Sequence, residues 1–482
     1  MPGLLNLRPL MVARVMAAER CEPKFDLMLL VLLALGLLFR VVLLYTTQDT
    51  GLMISDERDY QLLAHNIFKG DGFALEPGKL TSVRPPLYPV LAALLWTFTG
   101  TESVLTIRIA QVALSLGNVW LLYRLGLLLF DRPTALLAAA VLSFYPSLLA
   151  FNYFVLTEVL FTFLLTLIVL AILLVIQGGG AWVALGAGIA LGLGALTRSV
   201  LWPFPVVLLP LVLLTAPGTW SRRLRITSFI FLGFALLIVP WSVRNTRLQG
   251  VVTVVDAWGG ITLRMGNYEH TLVNRAWDPA TLEGDKSVFT ELRAEHSESS
   301  SWTEGQKEKW AQNKALRYMV DHPVQTAMRS LAKIAAFWGL ERTVIAGWQQ
   351  KFYAPPRWVV LLGTIFIPLC YMAAMILAAL GIFLAAPTDY RGHLLIMLVI
   401  AFITGMHALT FGHERYHLPL MPLLLIYAAS ALRRQCWQRL SGELWRLAAP
   451  AVVHAVLVGI WLREILFLDA ARIQTLLQNL FD

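Results

Sequence analysis

The chain has 482 residues, 57% of them hydrophobic and only 14% charged, with a mean hydropathy of +0.66, against roughly 25% charged residues in a soluble domain. That composition excludes a soluble globular enzyme and predicts an all-α polytopic membrane protein. The net charge of +9 reads as a topology signal and not as a nucleic-acid footprint, because no basic-aromatic surface module accompanies it.

Arg8, Arg14, Arg20 and Lys24 precede the first apolar run, and no small-residue cleavage site follows it, so residues 26–47 are expected to stay as a first membrane helix. Later apolar runs predict helices over 104–123, 134–150, 157–176, 182–197, 200–215, 226–242, 357–385, 392–411, 417–431 and 448–466, eleven crossings in all. Residues 86–99 are apolar but short and proline-led, which suits a re-entrant or interfacial helix. The expected division is a cytoplasmic N-terminus (1–25), an N-terminal transmembrane module (26–242) with a catalytic outer loop (48–103), a periplasmic loop domain (243–356) and a C-terminal transmembrane module (357–482).

Short loops rich in Lys and Arg should face the cytoplasm. With the N-terminus inside, Arg124 and Arg132, then Arg222, Arg223 and Arg225, then Arg391, then Arg433, Arg434 and Arg439 all fall on the inner side. Asp56, Arg84, Glu158, Arg198, Arg244, Asn267 and the run His413-Glu414-Arg415-Tyr416-His417 then meet at the outer face. In the outer segment, Gly259-Gly260 and Gly266 are expected at tight turns or close backbone approaches. Thr303-Glu304 should open a helix running toward Asp321, and Pro323 a second one ending near Trp338. The second carries Val324, Ala327, Leu331 and Ile334 on one face with Arg329 and Lys333 off it, a pattern shared by bilayer-surface helices and ordinary packing helices.

The chemistry-bearing residues sit at these outer ends. In Ile54-Ser55-Asp56-Glu57-Arg58-Asp59-Tyr60 a carboxylate can act as general base, taking a proton from an acceptor hydroxyl or amine as a donor's anomeric carbon is attacked. Asp56 and Glu57 are the candidates, with Asp59 behind them, and a helix-capping pair would satisfy the same pattern. One carboxylate suffices for an inverting transfer, since a leaving phosphate neutralised by cations needs little protonation. Arg84 precedes Pro85-Pro86, which bias it toward an extended conformation, and a fixed guanidinium grips phosphate well. A snorkelling interfacial arginine is the plainer reading. Glu158 opens an apolar helix, where it can orient an acceptor, bind a divalent cation or simply stabilise the first turn. Arg58, Tyr60, Tyr88, Arg198, Arg244, Asn267, Arg415 and Tyr416 complete the candidate substrate-binding set. The histidines around Arg415-Tyr416 invite a zinc-protease reading, set aside for a phosphate-binding Arg-Tyr pair. No clear metal-ligand set appears, and Cys21, Cys370 and Cys436 have no disulfide or metal spacing.

Taken in order, Asp56-Glu57, Arg84-Pro85-Pro86-Leu87-Tyr88-Pro89, Leu156-Thr157-Glu158, Leu196-Thr197-Arg198, Pro240-Trp241-Ser242-Val243-Arg244-Asn245, Gly266-Asn267 and Arg415-Tyr416-His417-Leu418-Pro419 give the chain a family likeness. It resembles GT-C membrane glycosyltransferases of the protein O-mannosyltransferase and aminoarabinose transferase type, glycosyltransferase family 39 in the broad sense. The resemblance implies a polyprenyl-phosphate sugar donor used at the outer face, with Asp56 matching the family's outer-loop catalytic aspartate. It implies a bacterial inner (plasma) membrane location, a site facing the periplasm, and a lipid, glycan or protein acceptor. Aminoarabinose transferases carry Glu-Lys-Pro where this chain has Val83-Arg84-Pro85, which keeps a cation for phosphate and removes an acid from any metal site of that kind. The expectation of another class is a transporter or flippase of lipid-linked sugars, which would place charged groups at mid-bilayer.

Overall fold

The computed structural model describes residues 26–47, 51–271, 284–349, 355–433 and 444–470. The expected cytoplasmic N-terminus, with Cys21, and Arg434, Cys436 and Arg439 of the last basic loop lie outside them. The described chain is helical apart from one two-stranded antiparallel hairpin. In chain order it runs α1 (Leu27–Thr47), α2 (Ser55–Lys69), β1 (Ala74–Glu76), β2 (Lys79–Leu80), α3 (Leu87–Thr99), α4 (Val104–Leu129), α5 (Arg132–Ser143) and α6 (Pro146–Ala150). Next come α7 (Glu158–Ile176), α8 (Ala181–Thr197), α9 (Pro205–Thr215) and α10 (Trp220–Gln249). The outer segment holds α11 (Gly259–Gly266), α12 (Val288–Glu295), α13 (Glu304–Asp321), α14 (Pro323–Phe337) and α15 (Thr343–Gln349), and the chain closes with α16 (Arg357–Leu384), α17 (Tyr390–Leu409), α18 (Met421–Ala431) and α19 (Ala448–Arg463).

Every expected crossing is helical, and among the described residues seven helices are long and apolar enough to span a membrane: α1, α4, α7, α10, α16, α17 and the segment Trp445–Leu468 that contains α19. The expected helix 134–150 is broken, because α5 stops at Ser143 and Pro146 opens α6. The largest departure is α10, which runs past the expected residue 242 to Gln249. Thr219 caps its start, Pro240 removes one backbone bond without ending it, and Gly250 closes it in the left-handed region. Arg244 and Asn245 therefore stand on a helix, not in a loop.

Lipid is as apolar as leucine, so hydropathy alone does not order these helices in space. The apolar stretch of α7 is 78% buried and that of α1 only 17%, which puts α7 at the bundle centre and α1 on its rim. Two buried arginines, absent from the candidate set, knit neighbouring helices together. Arg40 of α1 donates to Gly36 O, Ser143 O and the Ser115 hydroxyl, and Arg108 of α4 donates to Tyr153 O and Thr47 O. Outside the bundle, α11 lies on α13 over a small core of Ile261, Met265, Tyr268, Val288 and Ala311.

Candidate active site

The start of α2 explains how the two neighbouring acids come to differ. Glu57 stands at the third helical position and reaches back, one oxygen accepting from the Met53 and Ile54 amides at 3.0 and 3.1 Å. Its other oxygen accepts from Val155 N at 2.8 Å. Glu57 is thus a buried cap that fastens α2 to the 150–157 segment, leaving Asp56 free to face the other way. Arg84 lies between β2 and α3, where Pro85-Pro86 prevent helix from starting earlier. The outer segment grips the residues just before it: the Glu304 carboxylate accepts from the Thr81 hydroxyl and the Ser82 amide, and Ala257 N donates to Ser82 O.

From here the charges form one string. The Asp59 carboxylate accepts from Arg84 Nη2 at 2.7 Å, and the same nitrogen reaches Asp56 Oδ1 at 2.7 Å. Asp56 Oδ2 accepts from Arg415 Nη2 at 2.8 Å. Arg415 Nε stands 3.0 Å from Glu158 Oε1, and Arg198 Nη2 stands 2.7 Å from that oxygen. Three acids and three arginines alternate, so the string is formally neutral. Side-chain exposure falls from 32% at Asp59 through 22% at Asp56 to 1% at Glu158, so one end is accessible and the other is interior. Both Glu158 oxygens are buried without an aligned hydrogen bond, and both arginine contacts fall on Oε1.

Burial opposes the charge on Asp56, but the Arg415 and Arg84 guanidiniums outweigh it and hold the carboxyl well below the usual range. Burial likewise opposes the charge on Arg84, and Asp56, with Tyr60 and Asp59, raises its pKa above the ordinary value. Aromatic rings pack around the string. The Arg84 guanidinium lies 5.8 Å from the centre of the Tyr60 ring, which meets Tyr88 edge-on at 5.2 Å. Tyr88 donates to Gln111 Oε1 at 2.8 Å. Tyr416 has Arg198 and Arg415 each 5.3 Å from its ring centre and stacks on His407 at 4.7 Å.

The structure thus brings together Asp56, Arg84, Glu158, Arg198, Arg415, Tyr60, Tyr88 and Tyr416, with Asp59. Four other candidates stand apart from the string. Glu57 is the cap described above, and Arg58 is on the exposed side of α2. Arg244 donates to Thr81 O at 2.6 Å and to the Ser82 hydroxyl at 3.2 Å while packing on Trp241, so it braces the loop that carries Arg84. Asn267 is buried at a joint, donating to Leu263 O and Leu409 O and accepting from Lys333 Nζ at 3.1 Å. That joint is tight: a Cβ on Gly266 would stand 1.8 Å from Thr410 O, and one on Gly412 would stand 1.9 Å from Lys333 O. Only glycine lets the outer segment and the outer end of α17 approach this closely, three residues before Arg415. Burial, with the like charge of Arg329, pulls the Lys333 ammonium down to about 7.

Sequence reasoning gave Glu304 only as a helix start and His417 only as part of a charged run, and it missed Asp256, Glu308 and Glu341. The Asp256 carboxyl lies beside Arg84 and Ser199, and burial pushes its pKa up. Burial, then the neighbouring Asp256, pushes Glu308 up to about 7, while its Oε1 accepts from Gly260 N at 3.2 Å. Acids at helix starts and in turns are common, and only the fold shows what each of these faces. The run His413-Glu414-Arg415-Tyr416-His417 in fact spells the H-E-x-x-H order of zinc helices, so spacing alone does not set that reading aside. Geometry does. The run is a 3₁₀ turn, His417 lies buried with its ring nitrogens against Phe337 O and Glu341 Oε1, and His413 faces its own Glu414 and the Arg415 amide. Among the described residues no group of three or more His, Cys, Asp or Glu side chains is placed to hold a metal.

ArnT of Cupriavidus metallidurans, solved with undecaprenyl phosphate bound, superposes with a TM-score of 0.50 at 15% identity over 86% of this chain and 63% of its own. The fold is that of the GT-C membrane glycosyltransferases. The family profile described as dolichyl-phosphate-mannose-protein mannosyltransferase matches residues 83–243, which hold Arg84, Glu158 and Arg198. An oligosaccharyltransferase of Archaeoglobus fulgidus, solved with zinc and sulfate, gives a TM-score of 0.49 at 15% identity over 90% of this chain and 53% of its own. The chain therefore spans between half and two thirds of the length of these solved structures. No curated protein sequence matches it.

Proposed function

We propose that this chain is a polyprenyl-phosphate-sugar-dependent glycosyltransferase that moves one sugar to a lipid, glycan or protein acceptor at the outer, periplasmic face of a bacterial inner membrane. The observation that carries the reading is the Asp56 carboxylate held between Arg84 and Arg415. In this state Asp56 is a poor base, because two guanidiniums stabilise its charge. A lipid-linked phosphate is the ligand that would compete for those guanidiniums, since phosphate accepts the same charge-assisted, bidentate bonds.

When the phosphate takes Arg84 and Arg415, Asp56 loses its counter-ions and becomes both free and more basic. The acceptor oxygen or nitrogen then attacks the anomeric carbon and passes its proton to Asp56. The bond from that carbon to the phosphate oxygen breaks, and polyprenyl phosphate leaves with the electron pair, its charge met by the arginines. Glu158, already clasped by two guanidiniums, is suited to accept a hydroxyl or amine hydrogen of the bound sugar or acceptor.

The test is transfer by purified protein in nanodiscs, with donor and acceptor first identified by mass spectrometry of envelope glycolipids and glycans from cells with and without the chain. Asp56→Asn should insert and fold but lose about 10²–10⁴-fold in transfer, the worth of general-base catalysis. Near-normal turnover of that variant would remove the assignment.

A further inference from the structure

Helix α14 is built inside out for a protein surface in water. Its charged face points inward: Lys333 is 3% exposed and donates to Asn267 Oδ1 and Leu409 O, each at 3.1 Å, and Arg329 donates to Tyr268 O and the Tyr318 hydroxyl. Its outward face is apolar. Val324, Met328 and Leu331 are 68%, 65% and 68% exposed, and Leu316 and Val320 at the end of α13 are 49% and 77% exposed. The spacing 324, 328, 331 keeps three of these side chains on one stripe of α14, and Leu316 and Val320 lie one turn apart at the end of α13. In water such a helix leaves apolar area uncovered while two cations lose hydration, the reverse of what either the hydrophobic effect or ion solvation favours.

The surroundings show what solvent would make that polarity correct. The C-terminal end of α14 is seated against the membrane helices: Phe337 stacks on His407 near the end of α17 at 5.2 Å, and Trp338 O accepts from the Tyr371 hydroxyl midway along α16 and from Trp461 Nε1 near the end of α19. Beside Lys333, Leu409 ends α17 with 44% of its surface outward, as befits a lipid-facing position. The end of α14 is thus fixed against membrane helices whose exposed side chains are apolar.

We infer that the outward face of α14, with the end of α13, is embedded in the outer leaflet of the membrane, lying among acyl chains at the headgroup boundary as a monotopic anchor for the outer segment. Hydrocarbon covers the stripe, while Lys333 serves the joint to Asn267 and Leu409 and Arg329 holds Tyr268 and Tyr318. This anchor does not depend on which reaction the chain catalyses.

The test uses the full chain with Cys21, Cys370 and Cys436 changed to serine and a single new cysteine carrying an environment-sensitive fluorophore, in phosphatidylcholine–phosphatidylglycerol nanodiscs. Met328→Cys and, independently, Val324→Cys report on the stripe, and Glu298→Cys, 59% exposed in the outer segment, reports on water. Doxyl-labelled phosphatidylcholine should quench the stripe positions at least about twofold while aqueous iodide leaves them nearly unchanged, and Glu298→Cys should do the opposite, as expected for an interfacial helix. Iodide quenching at both stripe positions equal to that at Glu298 would overturn the inference. So would protection from both quenchers, which would mean that a second copy or another protein covers the face.

Discussion

Asp56 and Arg415 are 359 positions apart in the chain and 2.8 Å apart in space. The first stands at the start of a helix in the N-terminal outer loop, the second between the last membrane helices. The carboxylate meets its second arginine only when the N-terminal and C-terminal helices have packed together.

Arg84 should govern use of the donor. Arg84→Ala removes charge-assisted hydrogen bonds worth about 1.5–3 kcal/mol, or roughly one to two powers of ten in apparent donor affinity. Arg84→Lys should recover part of that, since it keeps the charge and loses the planar fork. Donor-concentration curves at saturating acceptor decide it. One apparent affinity shared by wild type and both variants would leave the phosphate to Arg198 or Arg415.

The joint behind Arg415 should be sensitive to a single methyl group. Gly266→Ala would push its Cβ against Thr410 O and must displace either the outer segment or residues 410–415, at about 1–3 kcal/mol for overpacking. We expect a lower melting temperature together with reduced transfer. An unchanged melting curve and unchanged rate would show that the contact yields without moving Arg415.

Glu308 should give the outer segment a pH-dependent stability of known sign. Its folded pKa is raised from 4.5 to about 7, so the folded state holds the proton more tightly than the unfolded chain. Its contribution is full below pH 4.5 and is lost as pH rises toward 7. Glu308→Gln keeps the acceptor for Gly260 N and removes the titration. The variant should gain in melting temperature relative to wild type at pH 8 and not at the acid end. A difference independent of pH would contradict this.

Topology can be checked with single cysteines. Lys309→Cys, on the exposed side of α13, should react with a membrane-impermeant thiol reagent added to intact spheroplasts. Arg225→Cys, in the basic start of α10, should react only after permeabilisation. Labelling in the opposite sense would put the acid-arginine string in the cytoplasm and remove access to an outward-facing donor.

Much of the architecture is legible in the sequence because the bilayer imposes it. Apolar runs must become helices to satisfy their backbone groups in lipid, and each expected run is helical. The outer helices Glu304–Asp321 and Pro323–Phe337 begin where Thr303 and Pro323 announce them, since capping chemistry is local. Asp56, Arg84 and Arg415 could likewise be singled out as charges at helix ends. Their partners could not. Arg84 and Arg244 look alike in sequence, both in polar segments at the outer face, yet one grips two carboxylates and the other braces a loop. An ion pair is set by distance in space, which the chain order does not encode. Glu57 and Asp56 are adjacent and chemically equivalent, and the helix start alone turned one into a cap and the other toward the arginines. The inverted polarity of α14 shows the same limit, because an amphipathic pattern gives two faces and only tertiary packing decides which one turns toward the protein.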